Sequence, residues 1–204
     1  MDDTLASKPD HICLFDVATP QMGYFTAAQA RECGFSWDLL SYHARTGRYQ
    51  RIQHGLYRIR DFPSTLREEV MAAWLTVGKE VAVVSHDSAL DLYDLSDNIP
   101  NAVHLTVSRS HRNNPKPPQT VVHTTTRPLQ QSDVWRHEGM RVTSPARTII
   151  DAADIGVGPE QIEMAVAQAL RRGLVTRDEL DRQVRNRSTR VRNLIRDAMN
   201  LAPR

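Results

Sequence analysis

The sequence of this 204-residue chain predicts an α+β protein with two domains. Residues 23–60 carry the signals of two short helices and a hairpin, and residues 63–143 alternate short strands with helices. The remainder of the chain carries helix signals in series. We therefore expect an N-terminal winged helix-turn-helix domain over residues 1–62. A mixed α/β C-terminal domain over residues 63–204 should follow it and end in a helical bundle.

Capping residues predict the helices of the first domain. Thr26 and Ser36 each stand where a hydroxyl can accept a backbone N–H in the first turn of a helix. Gly34 and Gly47 follow at positions where a left-handed residue ends a helix. The predicted helices comprise residues 9–18, ended by Pro20, then residues 27–33 and residues 37–45.

A basic hairpin is predicted after the last of these helices. Residues 48–52 and 56–60 alternate charged or polar with apolar residues, the period of a half-buried strand. Gln53-His54-Gly55 supplies the turn between them, since Gly55 can take a positive φ. Two helices joined by a tight turn and followed by such a hairpin form a winged helix, which typically binds duplex DNA.

The helix over residues 37–45 is the predicted recognition element. Leu40 and Ala44 lie four residues apart and should face the domain core, so the opposite face can enter the major groove. We interpret His43, beside the core face, as a structural residue. The predicted DNA-binding residues are Ser36, Trp37, Ser41, Tyr42, Arg45, Arg48 and Arg51, with Gln53 and His54 at the turn of the hairpin directed to the minor groove.

The distribution of charge is more informative than the net charge of +2. Residues 37–60 hold five arginines against one acid, and residues 171–204 hold ten arginines. Arginine suits phosphate recognition because its planar fork can pair with two oxygens, although a genomic preference for arginine codons would give the same excess over lysine. The residues predicted to add contacts to the DNA backbone are Arg171, Arg172, Arg185, Arg187, Arg190 and Arg192.

The second domain is predicted from similar signals. Asp61-Phe62-Pro63 marks a junction, and Ser64 is expected to cap a helix through Val77. Ser144-Pro145 is a strong helix start because proline fits the first helical position. Strands are predicted at 81–84, 102–107, 120–124 and 140–143. Helices are predicted after Ser85 and over 145–153, 159–172, 177–187 and 189–201.

The two cysteines, Cys13 and Cys33, have no metal-ligand partners at useful spacing. We expect them to be partly buried thiols in a reducing cytoplasm rather than a disulfide. The acidic, polar N-terminus does not resemble a secretory signal, and no apolar run approaches the roughly 18 residues of a membrane span. The predicted location is the cytoplasm.

Residue types associated with catalysis are present, but not at useful spacing. Ser85-His86-Asp87 are consecutive, so their side chains should point apart instead of forming a relay. The other histidines are scattered, no phosphate-binding glycine loop occurs, and pairing of Arg147 with Asp151 explains that polar cluster. We therefore predict no catalytic residues, no metal and no cofactor. The alternative, a DNA-acting nuclease, would need clustered carboxylates with a lysine, an arrangement that the sequence lacks.

Four segments resemble AbiEi-type antitoxins of abortive-infection, type IV toxin–antitoxin systems. In chain order they are GYFTAAQARECGFS, LLSYHARTGRYQRIQHGLYRI, SHDSALDLYDLSD and VTSPARTIIDAAD. The resemblance extends from about Gly23 to Gly173, and the last two strings are specific only when both follow a winged helix. Trp37 and His43 depart from the basic or apolar residues of relatives, so the operator sequence does not carry over.

The resemblance implies a function and two partners. The winged helix is expected to repress its own operon at inverted repeats in duplex DNA, with a possible dimer on the DNA. The second domain is expected to counteract a nucleotidyltransferase-like toxin, in many members without a stable complex. A stand-alone transcription regulator is the alternative, and the neighbouring gene would distinguish the two.

Overall fold

The computed structural model describes residues 8–125 and 129–202, and these form a mixed α and β structure. The chain divides into two compact units, the first ending at Gly78 and the second beginning at Lys79. Within the described residues, every helix is too short or too polar to cross a membrane.

Over residues 8–78, the first unit contains four α-helices and a three-stranded antiparallel sheet. The strand order is β1-β3-β2. The helices are α1 (His11–Ala18), α2 (Ala27–Glu32), α3 (Trp37–Arg45) and α4 (Glu68–Val77). The strands are β1 (Tyr24–Thr26), β2 (Tyr49–Gln53) and β3 (Leu56–Ile59). The sequence did not predict β1, which is only three residues long.

The predicted caps of α2 and α3 are confirmed. The Thr26 hydroxyl accepts from the Gln29 backbone N–H at 3.2 Å, and the Gln29 side chain accepts from the Thr26 N–H at 2.9 Å, which completes a capping box. The Ser36 hydroxyl accepts from Leu39 N–H at 3.1 Å. Gly34, with φ of 83°, makes the turn between the two helices.

An aromatic cluster fills the core of the first unit. Phe25 on β1 meets the Tyr49 ring edge-on at 5.0 Å and stacks on Tyr57 at 5.7 Å. Leu14 from α1 and Leu40 from α3 are buried in the same core. Because both helices are anchored to the sheet, the opposite face of α3 is left for solvent.

The expectation of two reduced cysteines is wrong in this structure. Cys13 in α1 and Cys33 at the end of α2 form a disulfide, with Cα atoms 5.8 Å apart. The backbone N–H of Asp10 donates to the Cys33 carbonyl at 2.8 Å, which brings the start of α1 beside the end of α2. This contact depends on tertiary packing, so the spacing of the two cysteines does not reveal it.

Helix α4 differs from the prediction in its start and in its place. It begins at Glu68 rather than after Ser64, because Arg67 takes a left-handed conformation and the Glu68 carboxylate accepts from Thr65 N–H at 2.7 Å. The helix packs on β1 and β3. It therefore belongs to the first compact unit, whose boundary lies after Gly78 rather than after Phe62.

The second unit is a mixed five-stranded sheet with helices. The strand order is β6-β5-β4-β8-β7; the β5–β6 and β4–β8 pairs are parallel, and the others are antiparallel. The strands are β4 (Val83–Val84), β5 (Val103–Ser108), β6 (Thr120–Thr125), β7 (Val134–His137) and β8 (Met140–Thr143). The helices are α5 (His86–Leu92), α6 (Pro145–Ile155), α7 (Pro159–Arg171), α8 (Arg177–Val184) and α9 (Thr189–Leu201).

The last four helices of this unit pack on one another. Ile149, Ile162, Leu180 and Ile195, one from each of the helices α6 to α9, are fully buried. Apolar residues at helical spacing on each helix supply this shared core.

Candidate nucleic-acid interface

Helix α3 presents the face that the sequence predicts. Leu40 and His43 are buried, whereas the Trp37 and Tyr42 rings are each 52% exposed. Ser41 and Arg45 lie on the same exposed side of the helix. Exposed aromatic rings beside a hydroxyl and a guanidinium can contact base edges and phosphate.

One residue of the predicted DNA-binding set has a structural role. The Ser36 hydroxyl caps α3 through Leu39 N–H, so it positions the helix instead of reaching outward. A residue that the sequence analysis missed lies nearby, since the Arg31 guanidinium of α2 sits 5.7 Å from the centre of the Trp37 ring. This cation–π contact holds the indole at the start of α3. Its partners come from different helices, so helical spacing could not reveal it.

The five arginines of residues 37–60 divide into two groups. Arg45, Arg48 and Arg51 are exposed. Arg58 is buried, where its Nη2 donates to Glu68 at 2.9 Å and to the Pro63 carbonyl at 3.1 Å. Arg60 donates to the Gly47 carbonyl. The first group can meet a ligand, whereas the second holds the unit together.

The turn of the hairpin departs from the prediction at Gln53. Its amide donates to the Thr76 hydroxyl of α4 and is half-buried, so it does not extend toward a minor groove. His54 is exposed, and its Nδ1 lies 3.2 Å from Arg51 Nη2. The exposed tip therefore consists of His54 with Arg51.

His43 packs as a core residue, as predicted. Its ring lies 5.2 Å from Tyr49 and 5.6 Å from His11, and burial lowers its pKa, with the positive charge of Arg48 as a second cause. Its Nε2 has no hydrogen-bond partner among the residues that the structure describes.

Most of the predicted auxiliary arginines make internal contacts. Arg172 Nη1 donates to the Tyr93 carbonyl at 2.6 Å, and Arg190 Nη2 donates to the Ala153 carbonyl at 2.8 Å. Arg192 Nη1 likewise donates to the Arg187 carbonyl at 3.1 Å. Arg187 itself pairs with Asp151 at 2.7 Å and with Asp154 at 2.9 Å.

These contacts give four of the six predicted auxiliary residues a role inside the second unit, and contact of the six with the DNA backbone stays a prediction. Carbonyls at the C-terminal end of a helix have no partner within it, and a guanidinium can satisfy them. Of these six arginines, Arg171 and Arg185 are the two exposed residues that make no such contact with the described part of the chain.

The structure contradicts the expectation that the side chains of the consecutive residues Ser85, His86 and Asp87 all point apart. His86 Nδ1 lies 2.8 Å from the Ser85 hydroxyl although the residues are adjacent, because His86 has a φ of 53°. Ser85 is fully buried, and the Asp87 Oδ1 atom is buried without a partner among the described residues. The three side chains therefore do not form a relay that a substrate could reach.

Comparisons with known proteins support the resemblance seen in the sequence. Residues 14–60 match the family described as "Transcriptional regulator, AbiEi antitoxin", which confirms the similarity to AbiEi-type antitoxins over the first unit. This family consists of regulators and not typically of enzymes. The family match ends at residue 60, so the resemblance of the later segments stays a prediction.

The fold also resembles a solved structure, that of the RV2827C protein from Mycobacterium tuberculosis. The two share a TM-score of 0.60 and 11% sequence identity, over 92% of this chain and 74% of that chain. At this identity the likeness shows a common fold alone. No curated protein matches the sequence.

Proposed function

We propose that the protein is a DNA-binding antitoxin of a type IV toxin–antitoxin system, which represses its own operon and counteracts a nucleotidyltransferase-like toxin. The observation that carries this proposal is the exposed face of α3, where Trp37, Tyr42 and Arg45 lie outside the core of a unit that matches AbiEi regulators. In finer terms, the first unit is a winged helix-turn-helix and the last four helices form a helical bundle.

The dimensions of α3 suit the major groove. Its nine residues span about 14 Å, and the groove is about 12 Å wide. Arg45 then reaches a base edge or a phosphate, and Arg48 and Arg51 meet the DNA backbone. His54 at the tip of the hairpin approaches the minor groove.

Inverted repeats imply two copies of the protein on one operator. The half-sites should lie about 34 Å apart, or a multiple of this, because each copy must meet the same groove face. The second unit is proposed to serve the antitoxin role, and direct binding of the toxin is not required for it. The proposed location of the protein is the cytoplasm.

A footprint of the pure protein on its own upstream region tests the DNA-binding proposal. Two copies with three exposed arginines each would neutralise about six phosphates, so the log–log slope of affinity against salt should be about −5. Arg45→Ala should weaken operator binding by about 1–3 kcal/mol, whereas Arg109→Ala, at an exposed arginine of the second unit outside the predicted DNA-binding set, is the control and should leave it unchanged. A flat salt titration, or equal binding by both variants, would overturn the proposal.

Co-expression with the product of the adjacent gene tests the antitoxin role separately. Rescue of growth together with operator protection supports both roles. Protection without rescue leaves a transcription regulator, one of the two roles that the description of the matching family names. Magnesium-dependent cleavage of duplex DNA would instead identify a nuclease.

A further inference from the structure

The second unit contains a polar cavity of about 750 Å³ that the proposed DNA binding does not use. Two of the sequence strings noted above meet there. The SHDSAL string supplies His86, and the TSPART string with its following residues supplies Arg147 and Asp151. The turn between α8 and α9, with Asn186 and Arg187, forms another wall.

His86 is held in an uncommon backbone conformation at this cavity. It has a φ of 53°, is only 6% exposed, and stacks on the His123 ring with centroids 3.7 Å apart. Residues other than glycine seldom take a positive φ, and such strained residues concentrate at ligand sites.

The hydrogen bonds around His86 define which ring nitrogen remains for a ligand. The Thr106 hydroxyl donates to Ser85 Oγ at 2.8 Å, and Ser85 Oγ lies 2.8 Å from His86 Nδ1. We assign the tautomer in which Ser85 donates its single proton to Nδ1, and in this tautomer Nε2 is an N–H donor. Among the residues that the structure describes, this Nε2 has no hydrogen-bond partner.

The charged groups of the cavity pair with one another and leave one net negative charge, because its lining holds two arginines and three aspartates, with Asp133 3.8 Å from Arg147. Arg147 Nε contacts Asp151 at 2.6 Å, and Arg187 contacts Asp151 at 2.7 Å and Asp154 at 2.9 Å. The two imidazoles add no charge, because burial lowers the pKa of His86 to about 2 and that of His123 to about 4. An anionic ligand would therefore find both guanidiniums already paired with carboxylates.

What the cavity offers is a set of neutral donors and acceptors. They include hydroxyls and amides that can each donate and accept, together with the flat imidazole pair. These hydroxyls and amides belong to Thr124, Ser132, Gln130, Gln183 and Asn186. Ligand sites of this size take molecules as large as a nucleoside.

We propose that this cavity binds an uncharged, polyhydroxylated ring compound of nucleoside size, either a nucleoside or a free sugar. Neighbouring ring hydroxyls can donate to the Asp151–Asp154 carboxylates and accept from Arg147, Arg187 and His86. This site does not depend on DNA binding, and it would give the protein a second, small-molecule activity in its second unit.

Saturation-transfer NMR and calorimetry on the full chain test the proposal. The probes are adenosine, guanosine, cytidine, uridine, ribose and glucose, each up to about 10 mM, with inorganic phosphate for comparison. We expect saturable binding of at least one nucleoside or sugar. Binding of nucleosides but not of sugars would identify a contribution from the base, whereas binding of both would identify the hydroxylated ring.

Three variants locate the binding. Asn186→Trp places a large ring at the exposed wall of the cavity and should weaken binding at least tenfold. Asn193→Trp, the same change on the exposed face of α9 away from the cavity, should leave it unchanged. His86→Asn keeps a residue that tolerates positive φ but removes Nε2, and should also weaken binding at least tenfold.

Three results would overturn the proposal. Binding that survives Asn186→Trp, binding of phosphate alone, or no binding of any probe would each reject it. Unchanged circular dichroism of the Asn186→Trp variant excludes unfolding, and its operator affinity shows separately whether the first unit still works.

Discussion

The buried imidazoles of the second unit make its stability depend on pH. The folded-state pKa of His86, about 2, and that of His123, about 4, lie below the usual 6.5 because burial disfavours the charged ring. As the pH falls below 6.5, the unfolded chain takes up protons that the folded unit does not. The stabilisation is therefore complete above pH 6.5 and is lost on acidification, by at most about 1.4 kcal/mol per pH unit for each histidine.

We expect a lower free energy of unfolding for the second unit at pH 5 than at pH 7.5. Urea unfolding followed by NMR at the amides of β5 measures it. His123→Asn removes one of the titrating rings, so its pH dependence should be shallower over the same interval. A free energy of unfolding that is constant between the two pH values would show that the rings accept protons in the folded state.

The arginines illustrate the limit of sequence reasoning about the candidate site. Arg45 and Arg58 look equivalent in a basic stretch, yet one is exposed and the other pairs with Glu68 inside the unit. The partner of a guanidinium is a tertiary contact, so clustering along the chain cannot separate a phosphate contact from an internal one. The helical period of α3 was sufficient to predict which of its faces is exposed, because the buried Leu40 defines the opposite face.

At the scale of the element, the disulfide between α1 and α2 should stabilise the first unit. It closes a sequence separation of 20 residues, and restricting such a loop in the unfolded chain contributes about 3 kcal/mol. Reduction with dithiothreitol should lower the free energy of unfolding of this unit by about that amount in urea titrations. Cys33 is buried, but Cys13 is half-buried, so a reductant has a route to the bond.

The Cys13→Ser/Cys33→Ser variant is the control for this prediction. It should unfold at the same urea concentration with and without reductant, close to the reduced native protein. If reduction leaves the native protein unchanged as well, the bond does not form in solution or does not constrain the unfolded chain.

Elements differed in how well the sequence defined them. Helix α3 was predicted to the residue because Ser36 caps it with its own hydroxyl. The start of α4 was missed because its N-cap, Arg67, is a left-handed residue without a capping side chain. Strand β1 was missed because three residues are too few to show alternation, and its pairing with β3 is a long-range contact.

At the scale of the whole molecule, the sequence predicted two regions of mixed α and β structure but not the place where one compact unit ends. Composition marks a junction at Asp61-Phe62-Pro63, since such residues break regular structure. The helix beyond it nevertheless packs on the first sheet. A boundary is a property of the contacts that cross it, and local composition does not contain them.

The position of α4 gives the last prediction, which compares two truncated chains. A chain that ends at Gly78 retains the contacts of Glu68 with Arg58 at 2.9 Å and with the Tyr24 hydroxyl at 3.4 Å, and that of Gln53 with Thr76. A chain that ends at Phe62 loses all of them and exposes the sheet surface that α4 covers. We expect cooperative thermal unfolding of the longer chain and a clearly lower midpoint, or none, for the shorter one.

A point variant separates the ion pair from the remainder of α4. Glu68→Ala in the full chain leaves the nearly buried Arg58 without its carboxylate, although the Pro63 carbonyl still accepts from it. The loss should be about 2 kcal/mol, between the values for exposed and for fully buried pairs, because Glu68 is partly solvated. Calorimetry of both truncated chains and of this variant measures how much α4 stabilises the first unit. Equal midpoints for the two truncated chains would show that the first unit ends at Phe62.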